Sequence, residues 1–294
     1  MKQFIIFAGL VLLFAACSTD NDVVENNSND QSNQLVPVRV NLSGFTVSQE
    51  DFSPTRAAQD VADYNGVNAV TLAFYNGTTE VYKSTQAKGD TGFGTFSLSL
   101  PMGSYTMVAV AYQTNEDNPF TLTSPTVAAY TGLHAFDTFV KTQTVNITNN
   151  SAVDISATLS RIVSMLSVIS TDGKTADVSN VRVTLSAGGR DFNPSTGSAI
   201  TNTGFVNTVG VSAAVGATST SSTALFLTAD EQTMNVTIET LDADGAVLFS
   251  KTVSNVPFKR NRITKLTGAM YINSGVSGSF RVETAWLTDQ NGTF

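Results

Sequence analysis

Alternation of apolar and polar residues with a period of two dominates this sequence from Leu35 onward. In its first segment Val36, Val38, Val40 and Leu42 fall on one face, with other residue types between them. Successive side chains of a β-strand point to opposite faces of a sheet, so this pattern predicts half-buried strands. No stretch shows sustained helical periodicity, and strands recur at roughly ten-residue intervals, as in β-sandwiches. The sequence therefore predicts an all-β fold.

The same pattern begins again near residue 160, which predicts two sandwiches in tandem. We expect an N-terminal β-sandwich over residues 35–159 and a C-terminal β-sandwich over residues 160–294. Asn76-Gly77 is a strong signal for a type I′ hairpin turn. Residues 113–143, which contain prolines and scattered aromatic residues, are expected to form a long excursion.

Residues 1–16 have the features of a signal peptide. Met1-Lys2-Gln3 provides a short basic start, and thirteen apolar or small residues follow, too few for a bilayer span of about 20 residues. Cys17 comes next, in a context that resembles the lipobox of bacterial lipoproteins, although Phe14 stands where those proteins usually have Leu. An ordinary secretory signal is the alternative. Residues 17–34 are rich in Ser, Asn, Asp and Gln and predict a disordered acidic tether.

Composition excludes several classes of function. Acidic residues outnumber basic ones by 24 to 16, and a net charge of −8 repels phosphate backbones, so nucleic acid is not an expected partner. One Cys and one His exclude an intrachain disulfide and a Cys/His zinc cluster, and we expect no cofactor and no metal. A binding or structural protein remains, or a carboxylate hydrolase, whose paired acids a sequence alone does not locate.

Several short segments resemble the fimbrillin superfamily of Bacteroidales-type pili. Their order and spacing carry the resemblance, which covers nearly the whole chain after the signal peptide. The segments are Pro54-Thr55-Arg56-Ala57, Val70 to Tyr75, Phe96 to Tyr105, Leu159 to Val163, Asn255 to Asn261 and Thr264 to Gly268. The resemblance implies two tandem transthyretin-like β-sandwich domains and a role as a pilus subunit or a pilus anchor.

The resemblance also implies a site of proteolytic processing. In shaft subunits of that superfamily an arginine-specific protease cuts after the first strand, and the strand leaves. Carried over here, the cut falls between Arg56 and Ala57, and the displaced strand is Val36 to Leu42. A sandwich that lacks this edge strand exposes an apolar groove, which a segment such as Phe280 to Trp286 of another subunit could fill. Alternatively, Arg56 is an ordinary exposed arginine, and the uncut chain stays anchored through the lipid on Cys17.

Other candidate sites have simpler explanations. Asp242-Ala243-Asp244-Gly245 begins like a calcium loop but lacks the later Glu, so a hairpin turn is the better interpretation. Glu116-Asp117 is expected to be a solvated loop rather than a cation site. His134 is expected to be a partly buried structural residue, because no nucleophile motif accompanies it.

These observations favour a non-enzymatic lipoprotein of the cell outer membrane that belongs to a fimbrium and supports adhesion. Its expected partners are other fimbrial subunits, joined through strand insertion, the outer membrane, bound through the lipid anchor, and a host or bacterial surface receptor. The second hypothesis is a surface carbohydrate-binding lipoprotein, in which Trp286 and loop tyrosines stack on glycans. Shaft, tip and anchor roles stay open.

Overall fold

β-Strands are the regular elements of the described part of this chain. The computed structural model describes residues 34–46, 61–271 and 280–283, and every regular element among them is a strand. The prediction of an all-β fold is confirmed. Within the same residues there is no helix with the length and apolar character needed to cross a membrane.

Several predicted features lie outside the described residues. They are the signal peptide, most of the tether, Cys17, Arg56, Ala57 and Trp286. Lipidation and proteolytic processing therefore stay predictions, as do the boundaries of the predicted domains.

Nineteen strands make up the described structure. The first nine are β1 (Leu35–Thr46), β2 (Ala69–Asn76), β3 (Thr79–Ala87), β4 (Thr95–Pro101), β5 (Gly103–Tyr112), β6 (Phe120–Ser124), β7 (Val127–Tyr130), β8 (Thr138–Ile147) and β9 (Val153–Arg161). The other ten are β10 (Val163–Ser170), β11 (Asn180–Leu185), β12 (Asp191–Asn193), β13 (Ser198–Ala199), β14 (Phe205–Gly210), β15 (Thr220–Phe226), β16 (Glu231–Leu241), β17 (Val247–Lys259), β18 (Ile263–Gly268) and β19 (Phe280–Glu283).

The first sandwich is one seven-stranded sheet folded over on itself. Its strand order is β3-β2-β5-β8-β9-β1-β4, and β8 and β9 pair only at Phe139↔Arg161 and Val140↔Ser160. This short contact forms a corner, so β3-β2-β5-β8 faces β9-β1-β4. Alternate side chains of both layers, such as Val38 and Leu72, fill a common apolar core between them.

The second sandwich repeats this topology with two separate sheets. Their strand orders are β15-β10-β18-β19 and β14-β11-β16-β17, and they enclose a core that includes Leu166, Val183 and Ile238. Strand β10 is antiparallel to β15 and parallel to β18, just as β1 is antiparallel to β4 and parallel to β9. The restart of the sequence pattern near residue 160 therefore corresponds to a structural repeat.

A small composite sheet connects the two sandwiches. Its order is β13-β12-β7-β6, and Ala128 and Ala129 of β7 pair with Phe192 and Asp191 of β12. The sheet covers a second apolar core, which contains Tyr112 and other residues of both sandwiches. The predicted excursion over residues 113–143 contains β6, β7 and the first six residues of β8, which the sequence pattern did not reveal. Short pairings between distant segments leave no periodic signal.

The predicted hairpin at Asn76-Gly77 forms, but its turn differs from the expected type. Asn76 pairs with Thr79, so the two-residue loop is Gly77-Thr78. Gly77 has φ +61°, and Thr78 is not among the described residues with positive φ. A type I′ turn needs positive φ at both loop positions, whereas a type II′ turn needs it only at the first, which is glycine here.

Candidate functional site

The predicted displaced strand lies in the middle of its layer. From Leu35 to Asn41, β1 is antiparallel to β4, and from Val38 to Thr46 it is parallel to β9. The expectation of an edge strand is therefore wrong. Alternation in a sequence reports which face of a strand is buried, but it does not report how many neighbours the strand has. We call the space that β1 occupies between β4 and β9 the β1 groove.

Four inward side chains hold β1 in this groove. Val36, Val38, Val40 and Leu42 are all between 0% and 2% exposed. Full burial of one such side chain contributes about 1.5–3 kcal/mol relative to leaving it in water. The four residues singled out by the sequence pattern are thus the ones that bind β1 to the core.

The opposite face of β1 is polar and exposed. Arg39 points outward beside Ser97 of β4 and Asp154 of β9, and Asn41 points outward beside Thr95 of β4. A cleft of about 320 Å³ follows the first half of β1 on this layer. Its lining comes from all three strands and the turn before β9, namely Pro37, Val38, Arg39, Ser97, Leu98, Ala152, Val153 and Asp154.

Strand β4 depends on β1 for its place in the sheet. Within the described residues β4 has no other sheet partner, because β1 separates it from β9. Beyond the ladder, the Gln86 side chain of β3 donates a hydrogen bond to the Thr95 carbonyl oxygen at 2.8 Å, and Phe96 and Leu100 pack into the core.

The C-terminal end of β1 is irregular. Its register against β9 shifts between Leu42 and Gly44, and Gly44 has φ +143°, a conformation that side chains disfavour. Thr46 is the last described residue of the strand, and the next described residue is Val61. Arg56 and Ala57 therefore belong to the connection that follows β1, as the processing hypothesis requires.

A buried ionic cluster joins Tyr64, which lies shortly after this connection, to Asp137 and Arg161. The Arg161 guanidinium donates to the Asp137 carboxylate from Nε at 2.8 Å and from Nη2 at 3.1 Å, and Nη2 also donates to the Tyr64 hydroxyl oxygen at 2.7 Å. Tyr64 in turn donates to Oδ2 of Asp137 at 2.5 Å. The Arg161 guanidinium carbon lies 4.7 Å from the centre of the Phe139 ring.

Burial controls the protonation of this cluster. It raises the pKa of the Asp137 carboxyl, while the Arg161 charge and the Tyr64 hydrogen bond act in the opposite direction. It also raises the pKa of the Tyr64 hydroxyl, with Asp137 adding to the rise. This cluster is not among the sites predicted from the sequence. The sequence signal that points to it is Arg161, which continues the alternation of Ala157 and Leu159 on the buried face of β9. An arginine on a buried face requires a partner.

The candidate donor segment is only partly described. Residues Phe280–Glu283 form β19, which pairs antiparallel with β18 at the edge of a C-terminal sheet. The last described residues before this segment are Met270 and Tyr271. They are held in place because Asp172 accepts hydrogen bonds from their backbone N–H groups at 3.0 and 2.7 Å.

The tyrosines do not form a glycan-stacking surface. Six of the seven are buried, with exposures of 8% or less, and the remaining one, Tyr82, is half-buried against the first core. This contradicts the part of the second hypothesis that places loop tyrosines against sugar rings. Trp286, its other element, lies outside the described residues.

The remaining candidates match their structural interpretations. Oδ1 of Asp242 accepts hydrogen bonds from the N–H groups of Asp244 and Ala246, so this segment is the predicted hairpin turn between β16 and β17. His134 is half-buried, with its ring 4.7 Å from the Phe136 ring. Glu116 is exposed in its loop, as expected for a solvated loop.

Comparisons with known proteins establish a family and a fold. Residues 32–291 match the model of a family of unknown function, DUF6562. No protein with a curated description matches the sequence.

Three solved structures from Bacteroides and Porphyromonas species are similar to this chain. A candidate adhesin from Bacteroides ovatus is 12% identical with a TM-score of 0.52, and the alignment covers 82% of this chain and 88% of that one. A candidate polysaccharide-binding protein from Bacteroides thetaiotaomicron is 10% identical with a TM-score of 0.50, covering 84% and 97% of the two chains. The fimbrial anchor protein Mfa2 from Porphyromonas gingivalis is 11% identical with a TM-score of 0.49, covering 84% and 95%. At TM-scores of 0.50 and 0.52 the two Bacteroides proteins share the fold of this chain.

Proposed function

Because the chain belongs to DUF6562, a family of unknown function, we propose its role from its site: a non-enzymatic fimbrial subunit or pilus anchor at the bacterial cell surface. In this proposal Cys17 carries the lipid that attaches the chain to the outer membrane. Subunits join by donor-strand exchange at the β1 groove, and the assembled fimbrium supports adhesion to a host or bacterial surface.

The placement of β1 is the observation that carries this proposal. The strand is the first element of the described fold, its four core side chains alternate, and the connection after it contains Arg56. A cut at Arg56 would leave β1 held only by its two ladders and by apolar packing. A strand of a second subunit with the same alternation could make the same hydrogen bonds and fill the same positions.

Two roles within a fimbrium remain distinct proposals. Cleavage after Arg56 removes the lipid together with β1 and produces a subunit that polymerises, with Ala57 as its first residue. Retention of the Arg56–Ala57 bond keeps Cys17 on the chain and produces a membrane anchor. The shared fold with a candidate adhesin supports both roles equally.

A carbohydrate-binding surface lipoprotein is the second candidate. One structure of the same fold is a candidate polysaccharide-binding protein, which favours it. The burial of six tyrosines counts against the part of this hypothesis that places loop tyrosines against sugar rings. Glycan-array binding by the monomer that disappears in Trp286→Ala, with folding intact, would favour this candidate over the fimbrial one.

The mature N-terminus and the assembly state test the main proposal. The protein is recovered from both the membrane and the soluble fractions of its native cells, its N-terminus is identified by mass spectrometry, and its assembly state is measured by size-exclusion chromatography. Acylated Cys17 identifies an anchor, and Ala57 together with polymers identifies a shaft subunit. A soluble monomer whose unmodified N-terminus precedes β1 contradicts both forms of the proposal.

A further inference from the structure

Release of β1 before another strand binds would disrupt the sheet on both sides of the β1 groove. Strand β1 holds β4 in the sheet, and no other strand among the described residues pairs with β4. On its other side β9 would keep only its two pairs with β8 at the corner. Departure of β1 would therefore leave β4 without a ladder and β9 with a minimal one.

An empty groove would also be strongly apolar. The inward face of β1 consists of Val36, Val38, Val40 and Leu42, and these side chains contact the core of the first sandwich. Without them, core side chains such as Phe96 and Leu100 would face water at the same time as β4 lost its backbone hydrogen bonds.

We propose that β1 is replaced by invasion: an incoming extended strand enters the cleft beside Val38 and displaces β1 stepwise, so that the groove is never empty. This inference rests on the proposed function, because it assumes that the β1 groove accepts a strand from a second subunit. It adds the place of entry, the direction of the incoming strand and the order of events.

The cleft lies at the end of β1 where the strand has only one neighbouring strand. The β1–β9 ladder begins at Val38↔Val153, so Leu35 to Pro37 pair with β4 alone. The cleft is lined by Val38 and Arg39, which pair with both β4 and β9, and by Ala152 and Val153 at the start of β9. An incoming strand that binds there meets the unpaired side of the first residues of β1 and can extend its own ladder as β1 peels away.

The two neighbours of the groove fix the direction of the incoming strand. It must run parallel to β9 and antiparallel to β4, which is the direction of β1. It must also present apolar residues at four alternate positions that correspond to Val36, Val38, Val40 and Leu42. We assign the partner as a second copy of this chain, whose C-terminal sequence has apolar residues at Phe280, Val282 and Trp286, positions that an extended strand presents on one face.

A kinetic experiment tests invasion without depending on natural processing. A recognition sequence for a site-specific protease replaces residues 53–58 of the full-length chain, and a fluorophore marks the N-terminal fragment. After cleavage, release of the fragment is followed with increasing concentrations of a synthetic peptide of residues 34–46. Invasion predicts that the fragment stays bound without peptide and that its release rate rises in proportion to peptide concentration. A release rate independent of peptide, or no exchange at all, overturns the proposal.

Two exposed serines of β4 provide a matched pair of variants for the entry site. Ser97 lines the cleft, whereas Ser99 has the same exposed, outward orientation two residues along β4 and does not line it. Ser97→Arg should lower the second-order exchange rate by about tenfold, with Ser99→Arg close to the parent protein. Equal rates for the two variants overturn entry at the cleft.

The same experiment separates this inference from the proposed function. A peptide of residues 279–294 is added in a parallel series, and the unmodified chain is treated with an arginine-specific protease. Failure of that peptide to exchange, or resistance at Arg56, counts against the proposed donor or the proposed processing. Concentration-dependent exchange of the 34–46 peptide would still support invasion in that case.

Discussion

Arg161 and Asp137 form a two-point ion pair, with Nε to Oδ1 at 2.8 Å and Nη2 to Oδ2 at 3.1 Å. Arg161 is the last residue of β9, and Asp137 immediately precedes β8. The pair therefore fastens the corner at which the seven-stranded sheet folds over. Tyr64 joins it from the chain segment that follows the connection after β1, so one buried cluster ties together three distant segments of the first sandwich.

Removal of the cation should destabilise this corner strongly. Arg161→Met leaves the Asp137 carboxylate buried without its charged partner, which typically costs about 3–5 kcal/mol. The free energy of unfolding from urea titrations measures the loss. Glu231→Gln provides the control, because Glu231 and Lys259 form an exposed pair at 2.7 Å whose loss should cost at most about 1 kcal/mol. Similar losses for the two variants would contradict a structural role for the buried cluster.

A second prediction concerns the two faces of β1. Val40→Thr keeps the branched shape but places a hydroxyl at a position that is 0% exposed, so we expect a loss of about 1–3 kcal/mol in the free energy of unfolding. Asn41→Thr, one residue later on the exposed face, should change it by less than about 0.5 kcal/mol. Thermal and urea unfolding of both variants provide the measurement. Equal effects would mean that β1 does not have the described orientation.

Among the described residues, the hydroxyl of Tyr75 is buried and has no hydrogen-bond partner. Tyr75→Phe removes an unsatisfied polar group whose desolvation costs about 1–3 kcal/mol, so we expect an unchanged or increased free energy of unfolding. Tyr130→Phe is the control, because its hydroxyl bonds the Thr138 hydroxyl at 2.8 Å and the Gln113 carbonyl oxygen at 3.1 Å. That variant should lose stability. A loss in Tyr75→Phe as large as in Tyr130→Phe would contradict the prediction.

The composite sheet should make the two sandwiches unfold together. Phe192 of β12 is 0% exposed and its ring lies 4.6 Å from the Phe226 ring in the core that both sandwiches share. We expect one calorimetric transition for the parent protein, and Phe192→Ala should cost about 3–5 kcal/mol and broaden or divide that transition. Val206→Ala, at a residue that is 46% exposed, should have little effect. Two separate transitions in the parent protein would show that the sandwiches are not coupled.

The sequence predicted the strands of each sandwich better than their connections. Alternation at Val36 to Leu42 identified both the strand and its buried face, because side-chain orientation in a strand is a local property. The central position of β1 depends on β4 and β9, whose paired residues lie about 60 and about 115 positions later in the chain. The pairing of Ala128 with Phe192 and the contact of Asp137 with Arg161 are also long-range, and no local pattern marks them.

Alkaline pH should destabilise the fold through its buried tyrosines. Burial raises the pKa of Tyr75 to about 12, with the Glu80 charge adding to the rise, and burial also raises the pKa of Tyr112 and of Tyr130. An unfolded tyrosine ionises near pH 10, so the unfolded chain loses these protons first. The stabilising contribution is therefore complete below about pH 10 and is lost as the pH rises toward the folded-state values.

Urea titrations at increasing pH, with phenolate absorbance followed in parallel, measure this effect. The free energy of unfolding should fall steadily above about pH 10, and phenolate absorbance should rise together with loss of structure. Tyr112→Phe removes one of the buried hydroxyl groups, so the free energy of unfolding of this variant should fall less steeply with pH than that of the parent protein. Lys265→Met is the control, because Lys265 is exposed, and it should leave the tyrosine absorbance transition unchanged. Phenolate formation near pH 10 in a chain that remains fully folded would contradict the burial of these residues.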